Sequence, residues 1–308
     1  MNDALPTWWP EKGVACYQDL VSYRLVGASA CADRITEAMA QLAVAAQAEG
    51  LDVFAEVTAA GRRFCALKPD TALYVNTVDL MAAASREGRA EDVVERADSL
   101  IRYRRHAGAQ VVDHAVSVLE ETETLLVHDY SSMVIRIIAE LGSRRAHRVV
   151  VTAGEPLGQG ERVAELVAAS GHSVVYIPDM SAARVIGGVD AFVTGVESFY
   201  ADGSMANTVG TVMLGLLCRE NDVSVIAPAE CLKYDRKRTS VKGADLTARL
   251  LHPWPSSERA QRNGWRVEEH VLDAVPGELV SAYVTEAGVR DAAEIGQTAR
   301  SAVARIAL

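Results

Sequence analysis

From Thr124 onward the chain alternates short apolar runs with longer amphipathic segments, and that rhythm limits the fold more than any other feature. TLLVHD, HRVVVTAG, SVVYIPDM, DAFVTG and VSVIAPAE are strand-length runs rich in Val. Between them, SSMVIRIIAELGSRR, GERVAELVAASG and NTVGTVMLGLLCREN place apolar residues at helical spacing. Strands alternating with helices in this way imply right-handed crossovers and a parallel sheet covered on both faces. Upstream, ASACADRITEAMAQLAVAAQAEG and TVDLMAAASREGRAEDVVERADSLIRYRRH read as helix, with GRRFCALKPD breaking the pattern at Gly61 and Pro69. AGAQVVDHAVSVLEE then continues to about Glu121 as a long connecting helix. The expected fold class is α/β: an N-terminal helical domain over residues 1–120, then a doubly wound, mostly parallel, Rossmann-like domain over residues 121–308. LHPWPSSERAQRNGW reads as an irregular surface connection and DRKRTSVKG as a short basic loop.

Charge narrows the partners. A formal net charge of −10 argues against a broad nucleic-acid or anionic-membrane footprint, which needs clustered Lys and Arg. A small-molecule ligand is expected, with no nucleic acid and no membrane. No run reaches the roughly 18 apolar residues of a membrane helix. The start, MNDALPTWWPEKG, lacks the basic and apolar parts of a signal peptide, and the five scattered cysteines show no CxxC spacing. Reduced thiols and a cytoplasmic location are the expectation. The histidines show no metal spacing, so no metal is assigned. Asp202–Thr211 matches neither a P-loop nor a dinucleotide fingerprint, so no cofactor is assigned either.

Three polar signals follow apolar runs: His128–Ser132, Gly195–Ser198 and Ala229–Lys233. In an open parallel sheet the carboxyl ends of the strands converge on one crevice. Asp129 and Glu197 are the candidate catalytic pair, because facing carboxylates raise the pKa of one and leave one acid and one base. The alternative is that each caps a helix or pairs with an Arg. Ser131 and Ser132, opening a helix, can hold an anion or serve as plain caps. Asn207 and Lys233 are candidate ligand contacts, as are Arg24 and Lys68, which with Arg62 and Arg63 flank the irregular parts of the helical domain.

These residues resemble the translation initiation factor 2B-related proteins, which include the regulatory alpha, beta and delta subunits of that factor, methylthioribose-1-phosphate isomerase and ribose-1,5-bisphosphate isomerase. LLVHDYSSMVIRII resembles the family's T-H-x-x-S segment, and VTGVESFYADGSMANTVGT its G-A-[DE] segment followed by N-G-x-x-N-K-x-G-T. VIAPAECLKYD is similar to A-E-x-x-K-[FY], and VLDAVPGELVSAYVTEAGV to the closing F-D-x-T-P-x-x-L-I-x-x-x-[IV]-T-E-x-G. Order and spacing agree over roughly residues 68–290. The resemblance implies a Cys/Asp pair in the isomerases; here those positions are Asp129 and Glu197. Three of the isomerases' cationic positions read Val26, Glu155 and Thr208 instead.

Two readings stay open. One is a divergent sugar-phosphate isomerase-like enzyme of aldose–ketose type, acting on a ribose-1-phosphate-like or related polyhydroxylated molecule through a carboxylate pair. The other is a non-catalytic factor-like protein that binds a sugar phosphate or nucleotide as sensor or scaffold. The resemblance further implies a homodimer or higher homo-oligomer.

Overall fold

The structure is a computed structural model and describes residues 4–22, 24–25, 27–244, 246, 257–268 and 270–306. It divides into two compact units at Ala107/Gly108, with Ile306 returning to the first. The first unit is helical: α1 (Glu11–Val21), α2 (Ala28–Ala48), α3 (Val53–Leu67), α4 (Ala72–Ala84) and the opening turns of α5 (Ala90–Leu119).

Two helix boundaries differ from the sequence expectation. Gly61 does not break α3, because a Cβ there would stand 2.4 Å from Val78 Cγ1 and 3.3 Å from Met39 Cε. The glycine is a packing residue that lets α3 lie close to its neighbours. Conversely, the helix expected over TVDLMAAASREGRAEDVVERADSLIRYRRH is two helices: α4 stops at Ala84 and α5 begins at Ala90. Gly88 adopts φ 72° between them, a left-handed turn that glycine takes without steric cost.

The second unit contains the main sheet: β1 (Thr124–His128), β2 (Arg148–Thr152), β3 (Ser173–Ile177), β4 (Ala191–Thr194), β7 (Ser224–Pro228), β9 (Ala282–Thr285) and β10 (Gly288–Arg290). Its order is β10-β9-β7-β4-β1-β2-β3, all parallel except the edge strand β10. The crossovers include α6 (Ser132–Arg144), α7 (Gly160–Ala169), α8 (Ala182–Val185) and α9 (Thr211–Glu220). Further on lie α10 (Ser257–Arg262) and the terminal α11 (Ile295–Ile306). The connection expected over LHPWPSSERAQRNGW falls partly outside the described residues; Ser257–Arg262 within it is helical rather than irregular.

Alternation along the strands builds a core on each face, as a doubly wound sheet requires. Leu125, Val127, Val149 and Val151 point one way, onto α6, α7 and the later turns of α5. Leu126, Val150, Phe192 and Val225 point the other way, toward α9 and Ile186. Each fully buried Leu, Val or Phe contributes about 1.5–3 kcal/mol relative to exposure, so the central strands anchor this unit.

A second, antiparallel sheet of β5 (Ser198–Phe199), β6 (Met205–Thr208) and β8 (Leu272–Val275) was not expected from the sequence. Residues 202–211 therefore do not simply lead into a helix: a strand precedes α9. Ser198 opposes Ala206, and Thr208 opposes Leu272. This small sheet brings Asn207 and Thr208 to the carboxyl end of the main one.

Candidate functional site

Read outward from β1, the main sheet runs β1-β2-β3 on one side and β4-β7-β9 on the other. The winding reverses between β1 and β4, and an open parallel sheet forms its ligand crevice at such a reversal. Asp129 leaves the end of β1, and Gly195 to Glu197 leave the end of β4.

Asp129 has φ 59°, a left-handed backbone that costs a non-glycine residue about 1 kcal/mol or more. Its carboxyl group is buried. Thr208 Oγ1 donates to Oδ2 at 2.6 Å, while Oδ1 is buried with no hydrogen-bond partner. Burial pushes the Asp129 pKa up; the Thr208 hydroxyl, the Tyr130 backbone N–H and His128 oppose that, and the charge of Glu197 adds to it. The charge of Glu197 is the smallest of these influences on Asp129. Glu197 itself is half-buried on the β4–β5 connection, where its backbone N–H donates to Ala206 O at 3.0 Å.

His128, one residue earlier, is a structural group. Nδ1 meets Thr152 Oγ1 at 2.7 Å and Nε2 meets Val209 O at 2.8 Å, so both ring nitrogens are used. Gly210, at φ 100°, has to be glycine beside it, since a Cβ would stand 2.7 Å from Nε2.

Ser131 is the N-cap of α6, with Oγ accepting from Val134 N at 3.4 Å; Ser132 opens the helix, half-buried. Asn207 lies buried across the reversal. Its Nδ2 donates to Thr194 Oγ1 and to Thr211 Oγ1, each at 3.0 Å, and Thr211 Oγ1 donates back to Thr208 O at 2.6 Å. Gly195 fits between Ser131 and Asn207: a Cβ would stand 3.0 Å from Ser131 Cβ and 3.4 Å from Asn207 Oδ1. Beyond β7, Lys233 is buried and its Nζ donates to Val196 O. Glu230 is buried beside it, and both Glu286 oxygens accept from Cys231 N.

Asp129, Ser131, Ser132, Glu197, Asn207 and Lys233 therefore all lie, within the second unit, at the carboxyl end of the main sheet. Arg24 and Lys68 belong to the first unit. Exposed Arg24 donates from Nε to Asp19 Oδ1 at 2.8 Å, and Lys68 caps the end of α3. A largely apolar cavity of about 670 Å³ runs along α9, lined by Val209, Met213, Leu216 and Asp273, and neither Asp129 nor Glu197 lines it. Sequence reasoning missed Thr194, Thr208 and Thr211 as members of the site. The signal available was the NTVGT run, which puts two hydroxyls three positions apart beside Asn207.

Among the described residues no helix is long and apolar enough to cross a membrane. A translation initiation factor eIF-2B subunit 2-like protein of Pyrococcus furiosus is 25% identical over 285 residues, spanning 91% of this chain and 96% of that one. Ribose 1,5-bisphosphate isomerase of Haloferax volcanii is 25% identical over 269 residues, covering 85% and 83%. The crystal structure of the Pyrococcus horikoshii translation initiation factor eIF-2B superposes with a TM-score of 0.78 at 22% identity, covering 91% of this chain and 97% of that one. The fold is that of these proteins. The sequence pattern of the initiation factor 2 subunit family extends over residues 24–292, and the chain belongs to that family.

Proposed function

We propose that the protein is a sugar-phosphate isomerase-like enzyme of aldose–ketose type, acting on a ribose-1-phosphate-like or related polyhydroxylated molecule. The observation that carries this reading is the Asp129 carboxyl group, buried with Oδ1 unpartnered and with the charge of Glu197 opposing its ionisation. Moving a proton between neighbouring carbons takes one group to remove it and one to deliver another. Asp129, whose pKa burial pushes up, is the acid; Glu197, less buried, is the base. Ser131, Ser132, Asn207 and Lys233 bind the ligand. The relationship to ribose 1,5-bisphosphate isomerase supports the substrate class. The same reading includes a cytoplasmic homodimer or larger homo-oligomer.

A second reading, a sensor or scaffold without turnover, draws on a specific observation. Asn207 and Lys233 already hold Thr194, Thr211 and the Val196 carbonyl, so the site is internally braced. Its support among relatives is the factor subunit-like protein matched along 96% of its length.

Melting-point scans with ribose phosphates, nucleoside phosphates and free sugars test for binding, since a ligand selective for the folded state raises the midpoint by mass action. NMR of each stabilising compound in deuterated buffer then separates the readings. Solvent exchange or a new carbon skeleton is the expected result; an unchanged compound defeats the enzyme. Asp129→Asn abolishes turnover while binding weakens by no more than about tenfold, or about 1.4 kcal/mol. Full activity in that variant removes Asp129 from the reaction.

A further inference from the structure

Asp129 and Thr208 are both places where the chain departs from the family's isomerase segments, and the two departures, 79 positions apart, are in direct contact at 2.6 Å. Thr208 is buried at the end of β6, paired to Leu272 on one side. On the other, Thr211 Oγ1 grips its carbonyl at 2.6 Å, and Asn207 ties Thr211 to Thr194 at the end of β4. The hydroxyl is consequently held still, and it donates to one carboxyl oxygen only. The other, Oδ1, is buried without a partner, an arrangement costly enough to need a purpose.

We infer that Thr208 is a positioning residue: by donating to Oδ2 it makes that oxygen the carbonyl end of a neutral Asp129 and leaves the proton on Oδ1, the oxygen that meets a ligand hydroxyl or carbonyl. This rests on the reading of Asp129 as the acid. The ligand group placed there is uncharged. An oxygen of a sugar carbon accepts the Oδ1 proton: the O–H bond at Asp129 breaks, one forms on the ligand, and the carboxylate left behind keeps the Thr208 hydrogen bond. A phosphate belongs elsewhere in the crevice, since loss of the proton would set two anions together.

Infrared difference spectroscopy on the full chain near pH 7 tests this without any ligand. A protonated carboxylic C=O band is expected in the native protein and absent from Asp129→Asn, which assigns it. In Thr208→Val the band moves to higher wavenumber, because the carbonyl loses its donor, and in Thr208→Ser it returns. Thr208→Ala gives the same shift if valine disturbs the strand. A missing Asp129 band, or one indifferent to all three Thr208 variants, overturns the inference. The outcomes also separate it from the proposed function. A Thr208-dependent band in a protein that turns nothing over defeats the enzyme reading alone, whereas turnover that needs Asp129 with a band blind to Thr208 defeats this inference alone. Where turnover is found, Thr208→Val lowers kcat about tenfold at similar KM, and serine restores it.

Discussion

Each end of the main sheet buries a titratable side chain with one polar atom left without a partner, yet the two ends are built differently. At the amino end, His147 precedes β2 and His172 precedes β3, their rings 5.3 Å apart. His172 Nδ1 accepts the His147 backbone N–H at 3.0 Å, so its proton sits on Nε2, which donates to Ile138 O at 2.8 Å. His147 Nδ1 donates to Arg145 O at 3.1 Å, and Nε2 has no partner. Every bond there goes to nearby backbone, and burial together with Arg145 and His172 pushes the His147 pKa down. At the carboxyl end, Asp129 is held by a side chain from a different sheet, and groups from the ends of β1, β4, β6 and β7 converge. The first arrangement braces loops. The second assembles side chains distant in sequence around an unsatisfied oxygen, which is what a ligand site requires.

Glycine substitutions test that contrast with the largest expected effects. At the amino end a Gly142 Cβ would stand 2.0 Å from the Ser170 carbonyl oxygen and 3.0 Å from His172 Nε2. Backbone cannot yield cheaply, so Gly142→Ala is expected to cost about 2–3 kcal/mol in denaturant unfolding while ligand affinity stays as it was. At the carboxyl end, the Gly195 Cβ would meet the side chains of Ser131 and Asn207, which can shift by a few tenths of an ångström. Gly195→Ala should cost about 1 kcal/mol or less in stability, yet weaken binding of the most stabilising sugar phosphate about tenfold. Equal stability losses with unchanged affinity in both would erase the distinction between the two ends.

The contrast was half legible in the chain. The polar signals at His128–Ser132, Gly195–Ser198 and Ala229–Lys233 stood out because each follows a short apolar run, the runs that form β1, β4 and β7. The small sheet was invisible for the opposite reason: β5 has two residues and β6 reads MANT, so pairing partners define them and no periodicity does. Thr208 accordingly showed up only as a cation the resemblance lacked, when its hydroxyl is the Asp129 partner. Gly61 looked like a helix breaker because sequence shows the glycine and hides Val78, the side chain it makes room for. The His147–His172 pair carried no local signal, since the two are 25 residues apart and meet only through the parallel pairing of β2 and β3.

Titration sharpens the comparison with a smaller effect, because the two buried groups pull stability in opposite directions. Asp129 has a folded pKa above its unfolded value, so its contribution is complete below the ordinary carboxylate range and is lost as pH rises through the folded value. His147 has a folded pKa below 6.5, so its contribution is complete above about 6.5 and is lost as pH falls from there toward the folded value. Each group can tilt the stability curve by at most about 1.4 kcal/mol per pH unit, the slope of one proton. Measured by urea unfolding across pH 3–9, His147→Asn should remove the loss that sets in as pH falls below about 6.5, and Asp129→Asn the loss that sets in as pH rises out of the ordinary carboxylate range. A His147 variant that leaves the acid limb untouched would mean that this ring takes up its proton without loss of packing.

Ser131 separates capping from binding with the smallest effect. Asp52 caps α3 by accepting from Ala55 N at 3.0 Å, whereas Ser131 reaches Val134 N only at 3.4 Å. A well-made cap contributes about 1 kcal/mol and a long one less, so Asp52→Ala should destabilise by about 1 kcal/mol and Ser131→Ala by about 0.5 kcal/mol. The weaker hold on Val134 leaves the Ser131 hydroxyl more available to an incoming group beside Gly195. Ligand-dependent melting shifts should therefore shrink in Ser131→Ala and stay unchanged in Asp52→Ala. A Ser131 variant that loses stability like Asp52 and keeps its full ligand shift would reduce this serine to a helix cap and move the binding hydroxyls to Thr194, Thr208 and Thr211.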